Sequence, residues 1–181
     1  VSGTSLHSGA MTAQFGDHVA GTSRFRVSAP AQVISGPITV TGGSGAEEVD
    51  IVSENIAAEG ITANLGDGAN VIGVNSPTFR AGAFSVATGA GSDSVNLIGN
   101  DIVLAAFKAV LGDDNNTVRV DGQQFGITAS ASVTTGGGSD IVALNSQITA
   151  LANYPDSPTP PYTNLVYTPA INTGTIRALG L

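Results

Sequence analysis

The sequence has no cysteine, no tryptophan and very little charge. Of its 181 residues only 11% are charged, and Lys108 with five arginines stands against 14 carboxylates, for a net charge of −8. The absence of cysteine excludes disulfides, zinc fingers, iron–sulfur ligation and thiol catalysis. The scarcity of basic residues excludes the Lys/Arg cluster of a nucleic-acid-binding protein. The best apolar run, Ile102 to Phe107, is far shorter than the ~18 residues of a membrane span, so none is predicted.

Glycine and small residues dominate what is present. There are 24 glycines and 41% apolar residues, a composition that argues against highly charged disorder. Low lysine with abundant Gly, Thr, Ser and Asn favours a secreted, extracellular or cell-surface protein over a cytosolic enzyme. The sequence begins at Val1 without a methionine or a signal-like segment, which fits either a processed export product or an excised piece of a longer chain.

A repeat of 23 to 24 residues organises the chain. Five similar segments begin at Gly42, Leu65, Thr88, Leu111 and Thr135, so that successive starts lie 23, 23, 23 and 24 residues apart. Each segment opens on a glycine- and acid-rich turn and continues with apolar residues two positions apart. This spacing is the periodicity of a β-strand, and the glycine and asparagine residues between strands supply turns.

Apolar residues recur in five columns at this period. The columns are Val49, Ile72, Val95, Val118 and Val142; Ile51, Val74, Leu97, Val120 and Leu144; Ile56, Phe79, Ile102, Phe125 and Ile148; Ile61, Phe84, Phe107 and, after a one-residue insertion, Ala131; and Ala63, Val86, Ala109 and Val133. Because apolar residues recur at the same positions of a fixed period, the sequence predicts an all-β, single-domain parallel β-helix (β-solenoid) of about 5–6 coils. A right-handed coil is expected. A β-sandwich or barrel is the alternative, although hairpins do not require such a period.

The repeat weakens towards both ends. Met11 to Asp17 resembles Ile61 to Asp67, which predicts one further coil with about three extra residues around 18–23. We therefore assign residues 1–20 to an N-terminal strand, an irregular cap or a coil-completing segment. Residues 21–150 form the coils. Residues 151–181 form a proline-rich loop followed by a C-terminal strand, in which Thr175 to Leu179 restores the first two columns.

The two ends look complementary and lack an obvious cap. The last strand stops early in a coil and the first strand begins late in one, so a stacked copy could complete the coil in register. The predicted assembly interface comprises Leu6, Met11, Phe15, Ile176 and Leu179. Tyr154, Tyr162 and Tyr167 are predicted to contact a partner or to pack on their own rod. An excised piece and a capped monomer are the alternatives.

The turns resemble the G-G-x-G-x-D-x-U-x nonapeptide of haemolysin-type secreted proteins, in which U is apolar. Thr88 to Asn96 and Thr135 to Ala143 match all but the first glycine. The chain is also similar to secreted bacterial β-strand-repeat proteins with one such turn per long coil. The resemblance implies calcium as a possible cofactor. Its ligands would be Glu47, Asp93 and Asp140, with Asp67, Asp113 and Asp114 beside them.

One turn position alternates acid with amide, as Glu47, Asn70, Asp93, Asn116 and Asp140. This alternation roughly doubles the spacing between stacked charges. It supports a second interpretation, in which Asp and Asn accept backbone N–H groups and no ion is needed.

No catalytic residues are predicted. The basic residues of the repeat region, Arg80, Lys108 and Arg119, do not share one column, so a polysaccharide-active β-helix enzyme is a remote alternative. The sequence predicts instead a non-enzymatic structural subunit that polymerises head to tail with copies of itself into a filament, sheath or matrix. A calcium-binding or adhesive module of a larger surface protein, with a cell-surface or glycan partner, is the alternative.

Overall fold

The computed structural model describes residues 4–18, 21–147 and 165–169, and this part of the chain is all-β. In chain order its strands are β1 (Ser5–Ser8), β2 (Met11–Gln14), β3 (Thr22–Ala29), β4 (Gln32–Ser35), β5 (Ile38–Thr41), β6 (Ala46–Ser53), β7 (Asn55–Asn64), β8 (Val71–Asn75), β9 (Thr78–Ala87), β10 (Ser94–Ile98), β11 (Asp101–Val110), β12 (Thr117–Thr135), β13 (Ile141–Gln147) and β14 (Leu165–Pro169). None of these residues forms a helix, and accordingly the described chain has no helix able to cross a membrane.

All strand pairs are parallel, and the strands form a β-solenoid of about six turns. The first flank stacks β3, β6, β8, β10, the start of β12, and β13. The second flank stacks β1 and β2, then β4 and β5, then β7, β9, β11, the end of β12, and β14. The predicted fold class is confirmed. The right-handed sense of the coil stays a prediction.

The strand register reproduces the predicted columns. Val49 pairs with Ile72, Ile72 with Val95, and Val95 with Val118. The other columns align in the same way wherever the structure describes them, and Leu6, Met11 and Phe25 extend three of the columns into the first coil. Ile148 lies outside the described residues. A repeat read from sequence spacing thus gives the register directly, because each coil places equivalent residues one above another.

Two irregularities in coil length also match the sequence. Met11 pairs with Ile38, an offset of 27 residues, whereas Thr22 pairs with Ala46, an offset of 24. The three extra residues therefore fall between 14 and 22, at the place predicted. A register shift in β12 inserts one residue before Ala131, which pairs with Phe107. This shift confirms the predicted insertion as a β-bulge-like irregularity.

The core is a narrow stack of aliphatic and phenylalanine side chains. Four phenylalanines at most 1% exposed, Phe79, Phe84, Phe107 and Phe125, pack in sequence with ring centroids 6.2, 5.8 and 6.0 Å apart. Edge-to-face and offset-stacked rings at these distances are favourable. Since both flanks contribute alternate residues to the interior, each coil buries only a few side chains and depends on its neighbours for the rest.

The chain returns to the second flank at β14, a strand that the sequence analysis did not predict. Leu165 pairs with Ala131 and Tyr167 with Val133, so β14 takes the place of columns four and five above the end of β12. The predicted C-terminal strand, with Ile176 and Leu179, lies outside the described residues, as do Tyr154 and Tyr162. Tyr167 therefore belongs to a strand of the solenoid.

Candidate functional site

One turn position forms a buried polar column along the solenoid, which we call the acid–amide column. Its members are at most 2% exposed: Glu47, Asn70, Asp93, Asn116 and Asp140. In every member except Glu47, a side-chain oxygen accepts a hydrogen bond from the backbone N–H of the preceding member in the chain. The N···O distances are 3.0 Å for Glu47 to Asn70, 2.9 Å for Asn70 to Asp93, 3.0 Å for Asp93 to Asn116 and 2.9 Å for Asn116 to Asp140. The column therefore links five successive turns.

The two amides of the column also close their own turns. Asn70 Nδ2 donates to the carbonyl oxygens of Gly66 and Gly68, both at 3.0 Å. Asn116 Nδ2 donates to the equivalent carbonyls at 2.8 and 3.2 Å. The amide thus uses both ends of its side chain, one towards the neighbouring coil and one within its own turn.

Glu47 departs from this pattern because its side chain is one methylene longer. Its Oε1 accepts the N–H of Gly43 in its own turn at 3.3 Å. Glu47 Oε2 and Asp93 Oδ2 are buried and have no hydrogen-bond partner among the described residues. Burial raises the pKa of both carboxyls above the usual range. Smaller effects oppose it, from the N–H of Gly43 and the ring of His18 for Glu47 and from Thr88 and Asn70 for Asp93.

A second set of aspartates, which we call the outer aspartates, links turns in the opposite direction. Asp17, Asp67 and Asp113 lie on the exposed side of alternate turns. Their Oδ1 atoms accept the backbone N–H of Ser44 at 2.8 Å, of Ala90 at 2.9 Å and of Gly137 at 2.8 Å, each in the following coil. The outer aspartates occupy the coils in which the buried column carries an amide, or, for Asp17, the first coil.

Glycine is required where successive turns approach closely. At Gly91, with φ of +131°, an added Cβ would lie 2.3 Å from the carbonyl oxygen of Gly68. At Gly89 it would lie 2.2 Å from Oδ1 of Asp67. Side chains at these positions would separate the turns and break the hydrogen bonds between them.

The six predicted calcium ligands lie along the turns but do not converge. Glu47, Asp93 and Asp140 are buried in the acid–amide column, whereas Asp67, Asp113 and Asp114 are exposed. A calcium ion takes six to eight oxygens. In residues 4–18, 21–147 and 165–169, no three acidic or histidine side chains form a group that could hold a metal ion. The described turns therefore do not provide the ligand set that the resemblance implies.

The N-terminal end of the solenoid brings three predicted interface residues together. Leu6, Met11 and Phe15 are half-buried against the end of the core, joined by Ala13 and Phe25. The last two were not singled out as interface residues, although Phe25 stands in column one and its position could have identified it. The ring of His18 lies over Gly45, at the first level of the turns.

Arg80 and Arg119, two of the three basic residues of the repeat region, take part in separate ion pairs on the surface. Arg80 pairs with Asp101 at 2.6 Å, and Arg119 pairs with Asp121. Lys108 is exposed. The second flank also carries a shallow groove of about 530 Å³, whose lining includes Ile34, Ala57, Ala81, Val103 and Ala105.

The comparisons with known proteins do not add a family to these findings. No protein-family model, no curated protein and no solved structure matches this chain.

Proposed function

We propose that this protein is an extracellular structural subunit that stacks end to end, coil on coil, into a filament, sheath or matrix. The observation that carries the proposal is the N-terminal end of the solenoid. There β1, β2 and β3 each pair with a single described strand. The free edge of such a strand presents backbone N–H and C=O groups that favour pairing with a further strand.

The apolar side chains at the N-terminal end of the core are covered on one side only, as the strand edges are paired on one side only. Leu6, Met11 and Phe25 are half-buried, whereas Val33 and Ile38, the neighbours of the first two in the next coil, are fully buried. One more coil laid on this end would bury the outermost layer as the interior coils are buried. The apolar area removed from water would stabilise the contact by about 25 cal/mol per Å².

A second copy of this chain supplies suitable strands. The strands at the other end, β13 and β14, are parallel to the rest and each pairs only with β12 among the described residues. The second flank contains seven described strand layers and the first contains six. At the N-terminal end, β2 therefore extends one layer beyond β3, and this end is uneven. A head-to-tail contact between unlike ends that continues the coil along its own axis does not close into a ring, and it therefore generates a filament.

An extracellular location is part of the proposal. It is supported by the single lysine and the abundance of glycine, and by the resemblance to secreted bacterial β-strand-repeat proteins. In this view the working surfaces are the two ends, and the turns and columns serve to keep the coils in register.

A charge placed at the end of the core tests the stacking proposal. We expect Met11→Lys to abolish large assemblies in sedimentation velocity, because burying an unpaired ammonium group at the contact is costly. Val71→Lys is the matched control, since Val71 is an exposed apolar residue on the flank. The control should assemble like the parent chain, and both variants should keep the β-sheet circular dichroism spectrum. Equal assembly of the two variants would contradict the proposal.

A second candidate function is an adhesive module, favoured by the groove on the flank. Ala57, Ala81 and Val103 give that groove an apolar floor that spans several coils. A partner bound there, such as a cell-surface protein or glycan, would leave the ends free. Loss of partner capture in Ala81→Glu with unchanged assembly would support this function, whereas unchanged capture would exclude the groove.

A further inference from the structure

The turns differ from calcium-binding turns in how their oxygens are used. In the haemolysin-type turn that they resemble, aspartate side chains and turn carbonyls are the ligands. Here the carbonyls of Gly66 and Gly68 accept Nδ2 of Asn70, and those of Gly112 and Asp114 accept Nδ2 of Asn116. An amide nitrogen therefore stands where an ion would have to bind.

Because acid and amide alternate, an amide nitrogen of this kind borders every space between adjacent turns. Acid and amide turns follow one another along the acid–amide column, so each pair of adjacent turns from Glu47 to Asp140 includes one amide turn. In that turn two carbonyl oxygens are already hydrogen-bonded. The Oδ1 atoms of the outer aspartates are bonded as well, to backbone N–H groups of the next coil. These oxygens are engaged by donors of the protein, and the described part of the chain holds no group of three acidic or histidine side chains that could share an ion of six-fold or higher coordination.

Asp93 occupies the same place as the amides above and below it. Its Oδ1 accepts the N–H of Asn70 at 2.9 Å, as Asn116 Oδ1 accepts the N–H of Asp93 at 3.0 Å. Its Oδ2 is buried, and the neighbouring side chain of Thr88 lowers the pKa of Asp93 against the effect of burial. A carboxyl group has the shape of an asparagine amide, and its Oδ1 accepts a backbone N–H as the amide oxygen does.

Acidic side chains lie in the turns next to Asp93. Asp114 in the turn above raises the pKa of Asp93 further, and Asp67 and Asp113 lie on the outer side of the two neighbouring turns. Residues 65–70, 88–93 and 111–116, the turn of Asp93 and its two neighbours, contain no lysine, arginine or histidine. The groups that oppose the rise in the pKa of Asp93 are the side chain of Thr88 and the backbone and side chain of Asn70.

We infer that these turns are closed without a metal ion, by a continuous ladder of side-chain-to-backbone hydrogen bonds in which Asp93 takes the place of an asparagine. The ladder accounts for the acid–amide alternation. Each acid is separated from the next acid by an amide that donates to its own turn and accepts from the coil below. Calcium is then dispensable for the fold, whether or not the chain assembles.

Melting temperatures of the full chain test the inference at neutral pH, in excess EDTA and in millimolar CaCl₂. We expect the parent chain to melt at the same temperature in both buffers. Asp93→Asn should melt at or above the parent, because an amide at this position keeps the bond from the N–H of Asn70 and can donate to its own turn as Asn70 and Asn116 do. Asn70→Asp is the matched opposite change, and it should melt lower by roughly 4–12 °C, because its carboxylate faces the carbonyls of Gly66 and Gly68.

Three results would overturn the inference. The first is a lower melting temperature of the parent chain in EDTA than in CaCl₂. The second is an Asp93→Asn variant that melts below the parent and no longer responds to calcium. The third is heat of calcium binding in titration calorimetry that disappears in Asp93→Asn. If Asn70→Asp does not fold, the parent chain and Asp93→Asn still decide the matter. Filament formation is scored separately by sedimentation, so a failure here is distinct from a failure of the stacking proposal.

Discussion

Replacing Gly91 with alanine tests the close stacking of the turns. Gly91 has a φ of +131°, and a Cβ there would lie 2.3 Å from the carbonyl oxygen of Gly68 and 2.5 Å from its carbonyl carbon. A side chain in this backbone region costs about 1–3 kcal/mol. Displacing the turn below adds about 1–3 kcal/mol of overpacking. We therefore expect Gly91→Ala to lower the melting temperature by roughly 5–15 °C.

Gly137→Ala provides the control within the same kind of turn. Its Cβ would meet Oδ1 of Asp113 at 3.6 Å, an ordinary contact, and its φ lies outside the left-handed region. This variant should stay within about 0.5 kcal/mol of the parent chain. Thermal and urea unfolding followed by far-ultraviolet circular dichroism measures both variants. Equal unfolding midpoints for Gly91→Ala and Gly137→Ala would refute the argument that adjacent turns are in contact.

Two further predictions concern the core and the buried acids. Phe107→Ala should reduce the free energy of unfolding by about 3–5 kcal/mol, because Phe107 is 1% exposed and stacks between Phe84 and Phe125. Burial raises the pKa of Glu47 and Asp93, so their contribution to stability is full below the unfolded-state pKa and is lost as the pH rises through the folded-state pKa.

Each of these predictions has its own check. Phe107→Leu keeps most of the volume and should cost clearly less than the alanine variant in urea titrations. For the acids, the measurement is the difference in melting temperature between the parent chain and Asp93→Asn or Glu47→Gln. That difference should be largest at neutral pH and shrink towards pH values below about 4. A difference that does not change with pH would show that the buried carboxyls titrate as they do in the unfolded chain.

The sequence was sufficient to predict the register of the solenoid. A strict period places equivalent residues one above another, so the pairing of Val49 with Ile72 follows from counting. The one-residue insertion before Ala131 and the longer first coil were visible in the same way. These features depend only on chain length between equivalent positions, which the sequence contains explicitly.

The contacts of the turns could not be predicted in the same way. The sequence shows that Asp67 and Asp93 belong to turns, but not that Asp67 bonds to the coil above and Asp93 to the coil below. That direction depends on the backbone path and on side-chain length, as the return of Glu47 to Gly43 illustrates. The strand β14 was missed because the long insertion before it removes the period on which the prediction relied.

Helical reconstruction from electron micrographs of the concentrated, purified chain tests the central claim most directly. Stacked solenoids should form filaments in which each subunit adds about 29–34 Å along the axis, because six or seven strand layers lie ~4.8 Å apart. The strands should run perpendicular to the filament axis and continue across the subunit boundary. Discrete particles one chain long, at every protein concentration and ionic strength, would contradict the account.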